Sequence, residues 1–446
     1  MSAAPPAPRA AALRPQGTYQ LSAGRPVPVI ELPELLTLVL LVLLGLALNH
    51  SSVILGLNLS LADPVVAVLI IVLLVRGRLW IPVGALVFFL LLSVQLLAVT
   101  TLLVPTWTSV PLPVAGTGQE YAKLVVSFLC FLLGVQVVRL GRAELLLRAF
   151  VAGAVVVSAI GALSIVVPAL HGAGTLFLGG FRFQGLTNDP NNFAVLSVAA
   201  LAALWYDRGA RPPLRIAAST LLIIGILLSA SKTGAIALLL LVIWRGFGLR
   251  SPHGEEESSR GRHLLAVTCV LALSALVLLI APATGVGGTL SELVARFPAL
   301  ERTSTLLTSF DTAIAGSGSE RESAWATALS LIWFSPILGV GVGTYLDVAV
   351  EITGVPVLAH NTYLQVMAEW GLPLALVFLV WTARVTMRRP ENPALRPLWA
   401  AASTALLVML VGSMGLSLNN SRLLWILLGM TAAAHLLSTT RRGGPS

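Results

Sequence analysis

The sequence predicts an all-α polytopic membrane protein with about twelve transmembrane helices and a partly helical extracytoplasmic loop. Three observations predict it. Of 446 residues, 57% are hydrophobic and 11% charged, where an ordinary soluble domain has about 25% charged. Apolar runs near or above the ~20 residues that cross a hydrocarbon core recur along almost the whole chain. The basic residues fall between those runs, as they do in membrane loops.

Taken in order, the runs are 31–48, 62–75, 80–103, 121–138, 146–169, 191–206, 215–230, 233–248, 263–282, 368–383, 397–417 and 423–438. Stretches such as "RGRLWIP", "DRGARPPLR" and "RRPENPALRP" end alternate runs with turn-forming and charged residues. The organisation expected is a disordered cytoplasmic tail over 1–29, helices one to nine over 30–282, an extracytoplasmic loop domain over 283–367, helices ten to twelve over 368–438, and a short cytoplasmic tail over 439–446. The Pro/Ala-rich start lacks the compact apolar centre of a cleavable signal. "SPHGEEESSRGR" is the most polar connection and reads as a cytoplasmic loop. Within the long loop, "ESAWATALSLIWFSPILGVG" has helical spacing and suits a helix at the interface or packed on the bundle. Gly339, Gly341 and Gly343 follow it and permit a tight backbone path beside a ligand or helix.

Sidedness follows from the excess of cations on cytoplasmic loops. With the N-terminus inside, 21 of the 28 basic residues lie on the cytoplasmic side. The other seven, Lys123, Arg182, Lys232, Arg296, Arg302, Arg321 and Arg422, face outward against the bias and each invites an explanation.

Four outward patches carry polar residues that composition does not demand. "FRFQGLTNDPNNFA" places Arg182 and Asn191 at the mouth of the sixth span. Its Asp-Pro-Asn-Asn also reads as plain helix initiation, but a cap does not need a guanidinium. "SASKTG" puts Lys232 in a very short turn, where an ammonium either meets lipid phosphate or holds an anionic ligand. Arg302 and Arg321 sit among Glu301, Glu320 and Glu322, so surface ion pairing is the bland account of both. Arg321 also opens the Trp-bearing helix, whose free backbone N–H groups favour anions. Last comes His360-Asn361, either a packed polar pair at a helix start or an imidazole of ordinary pKa ~6.5 poised to accept a proton. Cations converging beside it would suit a diphosphate, since guanidinium meets phosphate oxygens in pairs. A membrane offers one obvious diphosphate, a lipid-linked sugar donor.

Other classes fit less well. No His, Asp and Glu have metal-ligand spacing, and the two cysteines, Cys130 and Cys269, lie in apolar runs. The net charge of +9 is spread between spans without interleaved aromatics, which argues against nucleic acid. A transporter would carry ionisable groups near the bilayer midplane, whereas here the middles of the runs are nearly free of charge.

The motifs "RFQGLTNDPNNFA", "SASKTG", "RESAWATALSLIWFSPILGVGVGTY" and "HNTYLQVMAEWGLPLAL" together resemble the bacterial O-antigen ligase and polysaccharide polymerase superfamily of GT-C type membrane glycosyltransferases. Ligases of this type carry His, then Asn, Ser or Gln, nine residues, Gly, two residues and a final Gly, Thr or Tyr. Here His360, Asn361 and Gly371 match, Leu374 takes the last place, and Lys232 stands where Arg is frequent. The resemblance implies transfer of a glycan from undecaprenyl diphosphate to a lipid or glycan hydroxyl, on the extracytoplasmic side of the bacterial inner membrane, with no cofactor or metal. It leaves ligase, polymerase and protein O-oligosaccharyltransferase open. His360 is then the expected base, Arg321, Arg182, Lys232 and Arg302 the diphosphate-binding cations, and Asn361 and Asn191 the substrate-positioning amides.

Overall fold

The computed structural model describes residues 32–51, 60–110, 114–207, 209–246 and 318–439. Arg296 and Arg302, the tails, the polar loop at 251–262 and the expected ninth span at 263–282 lie outside those residues.

Among the described residues the fold is helical apart from one two-stranded hairpin. In chain order the helices are α1 (Leu32–Ala47), α2 (Ala62–Val75), α3 (Val83–Ala98), α4 (Val114–Arg139), α5 (Ala143–Leu163), α6 (Pro190–Tyr206), α7 (Pro212–Leu228), α8 (Lys232–Gly246), α9 (Gly318–Phe334), α10 (Tyr345–Thr353), α11 (Thr362–Trp370), α12 (Leu372–Met387), α13 (Arg396–Gly412) and α14 (Arg422–Thr439). The hairpin pairs β1 (Phe177–Leu178) with β2 (Arg182–Phe183) in antiparallel register.

Eleven of the twelve expected spans fall on a helix, and the ninth lies outside the described residues. Among the described residues four helical stretches, 83–107, 116–139, 143–163 and 393–412, are long and apolar enough to cross a membrane, and five further apolar helices are shorter. The expected tenth span also divides. Gly371 adopts φ +74°, a left-handed conformation open to glycine, and Pro373 suits the first turn of a new helix. The apolar segment therefore starts at Leu372, leaving α11 as a separate short helix.

The bundle is organised around α6. From Phe193 to Leu204 every residue is buried, and its run of alanines lets α5, α7, α8 and α13 pack around it. The tightest crossing, α4 on α14, depends on absent side chains. A Cβ on Gly134 would strike the Ile426 carbonyl and one on Gly429 the Phe131 carbonyl, so the backbones approach as small-residue membrane interfaces allow. Large apolar side chains such as Val75, Val94 and Val380 point away from the core, the inverse of a soluble bundle and the arrangement lipid favours.

The two ends of the bundle differ. One gathers arginines: Arg142 pairs with Glu34, Arg148 with Asp207 at 2.8 Å, and the Arg139 guanidinium lies 5.0 Å from the centre of Trp80. The other end carries residues 49–51, 177–192, 229–232, 360–362 and 413–421, which hydrogen bonds and close contacts tie together. A second, smaller core joins α9, α10 and α11 to the end of α3 through Val99, Ala328, Leu331, Val348 and Ala368. The Trp-bearing helix is therefore packed on the bundle, with Trp333 left 78% exposed.

Candidate functional site

Each polar patch is held by an ordinary local device. The hairpin seats Phe183 on Phe193, ring centres 5.0 Å apart, which pins Arg182 beside the start of α6. Asp189 caps that helix by accepting from Asn191 N at 2.8 Å. Ser231 caps α8 by accepting from Gly234 N at 3.0 Å, so Lys232 stands in its first turn. Asn361 caps α11, its Oδ1 accepting from Tyr363 N and Leu364 N at 3.0 and 3.3 Å.

These devices bring distant patches together. Arg182 Nε donates to the Ser229 carbonyl (3.2 Å) and its NH2 to Asn191 Oδ1 (3.1 Å), joining the Arg182 segment to the Lys232 turn. A Cβ on Gly415 would sit 3.0 Å from Thr233 Oγ1, so the 413–416 turn lies against the same region. That turn in turn holds the His360 segment: Thr362 N donates to Ser413 O (2.8 Å) and Leu416 O (3.1 Å), while Leu418 N donates to Thr362 Oγ1 (2.7 Å). Arg182, Asn191, Lys232, His360 and Asn361 thus belong to one connected end of the fold. Arg321 lies near the N-terminus of α9, which packs along α11 with their C-terminal ends joined by Leu372 N to Pro336 O (2.8 Å). Among the described residues no hydrogen bond or ion pair joins Arg321 to His360.

Both amides read from the sequence have partners within the protein. Asn191 Oδ1 accepts from Arg182 and its Nδ2 donates to Asp189 at 3.0 Å. Asn361 Oδ1 accepts the cap bonds of α11.

The backbone marks the same two turns. Among the described residues, the non-glycine residues with positive φ are Ala230 (50°) and His360 (44°). One is in "SASKTG" and the other is the histidine itself. Such conformations cost of order 1–3 kcal/mol and persist where surroundings over-determine them, most often at functional sites. His360 is also exposed, its ring available at the surface of this end, while Ala359 before it is buried.

A glycine strap braces the far side. Val340 N and Gly341 N donate to the carbonyls of Ala368 and Glu369 at 2.9 and 3.1 Å. A Cβ on Gly339 or Gly341 would collide with the Glu369 carbonyl or Thr100 Oγ1. Pro105 denies an amide to the helical ladder, and a π-turn forms at Val99–Leu103 just before it. Thr100 in that turn accepts from Val342 N at 2.8 Å, fixing the strap.

Beside the turn lies a cavity of about 610 Å³ that the sequence reading did not anticipate. Its wall includes Asn192, Glu120, Lys123, Tyr345, Gln365, Glu369, Ser417 and Arg422. Two of the seven exceptional cations are here, and both are committed: Lys123 pairs with Glu120, and Arg422 makes a two-pronged bond to Asp63 at 2.6 and 2.7 Å. Glu369 accepts from Gln365 Nε2 at 2.8 Å. Burial pushes its carboxyl up to about 7; the Gln365 bond opposes this, Glu120 adds to it and Lys123 offsets part. Glu369 escaped notice because it stands inside an apolar run; the polar pair at i and i+4 with Gln365 was the available signal. Among the described residues no group of three or more His, Cys, Asp and Glu is placed to hold a metal.

Residues 217–379 match the family model described as O-antigen ligase. That stretch takes in the Lys232 turn, Arg321, the glycine strap and His360-Asn361. No curated protein matches the chain.

Proposed function

We propose that this chain, which belongs to the O-antigen ligase superfamily, moves a glycan from undecaprenyl diphosphate to an acceptor hydroxyl at the outer face of the bacterial inner membrane. The observation that carries the reading is the single end of the fold that unites the cation-bearing turns with an exposed histidine held in a left-handed conformation.

In this reading the acceptor oxygen attacks the anomeric carbon from the face opposite the diphosphate. The new C–O bond forms as the bond to the diphosphate oxygen breaks, so the sugar carbon inverts. The acceptor proton passes to the His360 imidazole, and the carrier leaves with the bonding electron pair as undecaprenyl diphosphate. A positioned base contributes ~100- to 10,000-fold to such a step. Charge growing on the leaving oxygen falls to Arg182, Lys232 and Arg321, with Arg302 of the same loop as a fourth contributor. Preorganised cations suit that task because they need no rearrangement at the moment of reaction. The Asn191 amide and Ser229 carbonyl hold the Arg182 fork in one orientation. Asn361 sets the start of α11 and thereby the backbone that presents His360.

The test is an assay with purified protein, lipid-linked oligosaccharide and candidate acceptors. His360→Ala is expected to abolish transfer, by ~100-fold or more, while still binding the lipid donor. Full transfer by that variant would remove the histidine from the chemistry.

A further inference from the structure

We propose that the cavity beside the His360 turn binds hydroxyl-rich sugar units of a glycan, an assignment that rests on the transferase reading above. Its wall carries buried polar atoms that the protein itself leaves without hydrogen-bond partners. Tyr345 is 4% exposed and Gln365 7% exposed, yet the Tyr345 hydroxyl and Gln365 Oε1 have no partner among the described residues. Asn192 Oδ1 and Ser417 Oγ, from two further segments of the same wall, are in the same condition. Buried polar groups are normally satisfied, and four exceptions lining one cavity point to a ligand that donates and accepts many hydrogen bonds.

The charges say which ligand. Both cations in the wall are neutralised by carboxylates, Lys123 by Glu120 and Arg422 by Asp63, and Asp347 and Glu369 add acceptors rather than positive charge. A diphosphate would meet no uncommitted cation there. A sugar, with hydroxyls that donate to carboxylate and amide oxygens and accept from the Tyr345 hydroxyl, matches the set. The volume of about 610 Å³ lies inside the roughly 300–1,000 Å³ range of ligand pockets.

Position agrees with chemistry. Asn191 faces Arg182 and the next residue, Asn192, lines the cavity. Leu416 O holds Thr362 and the next residue, Ser417, lines it as well. The cavity wall therefore shares two segments with the hydrogen-bonded turns that carry Arg182 and the His360 segment.

The double variant Tyr345→Phe/Ser417→Ala deletes only the two orphaned hydroxyls, so an unchanged thermal midpoint is expected and confirms folding. Full-length protein in nanodiscs is offered an array of carrier-free bacterial repeat-unit oligosaccharides. Wild-type protein is expected to bind at least one, and the double variant to bind it about tenfold more weakly, the worth of one or two neutral hydrogen bonds. Absence of sugar binding by the wild type, or binding indifferent to the double variant, overturns the proposal. In the transfer assay a raised KM for the lipid-linked donor assigns the chamber to the donor glycan and a raised KM for the acceptor assigns it to the acceptor; neither moving also overturns it. Array binding needs no transfer, so a chain that binds sugar but transfers nothing refutes the transferase reading alone.

Discussion

Two neighbouring regions at the same end of this bundle both carry cations, and they differ in what holds those cations. In the cavity, Arg422 meets a nearly buried Asp63 through two short bonds, and Lys123 meets Glu120. At the turns, Arg182 donates to the Ser229 carbonyl and to the Asn191 amide oxygen, which ties two segments together. A guanidinium paired with a buried carboxylate is committed to holding the structure, because removing either partner strands the other's charge. The contrast teaches that an outward cation in a membrane protein is not by itself a substrate ligand, since the partner decides its role.

The largest effect that would break this contrast concerns Arg422. Its side chain is 16% and that of Asp63 9% exposed, so Arg422→Met strands a buried carboxylate, a change worth about 3–5 kcal/mol. A large fall in thermal midpoint is expected, relieved in part by adding Asp63→Asn. A stable Arg422→Met protein with weakened donor binding would move Arg422 into the anion site.

Next in size is a pH effect. The Glu369 carboxyl is held at about 7 against an ordinary 4.5, so between those values the folded protein keeps a proton that the unfolded chain releases. Stability from this group is full below about 4.5 and is lost as pH rises through about 7. Glu369→Gln removes the loss, so the midpoint of the variant relative to wild type should climb across that window. A constant difference would show that the carboxyl titrates normally. Smallest is Asn361→Ala, which deletes the cap of α11 at about 1 kcal/mol. Asn361→Asp preserves the cap and should restore the midpoint; failure to do so would point to a role for the amide nitrogen.

Much of the helical layout was legible because apolar runs are long and punctuation is strong: α2 coincides with its expected run, and Asp189 caps a helix where its Asp-Pro-Asn-Asn stretch says one should start. The break at Gly371 was hidden because hydropathy does not register one residue of positive φ inside an apolar stretch. Residues named for the site were legible as types, an Arg, a Lys and a His out of place. That their segments share one end of the fold was not. Periodicity says which face of a helix is apolar, but not that Ser229 would meet Arg182 or that the 413–416 turn would hold Thr362. The cavity was missed for a related reason, since Tyr345, Gln365 and Ser417 are unremarkable until three segments meet.

The central claim is tested most directly by equilibrium binding of glycan-free undecaprenyl diphosphate to nanodisc-embedded wild type, Arg182→Ala and Lys123→Met. The account predicts affinity lowered about tenfold or more in Arg182→Ala, the scale of one lost charge-assisted contact, and retained in Lys123→Met. Affinity lost in Lys123→Met and kept in Arg182→Ala would contradict it.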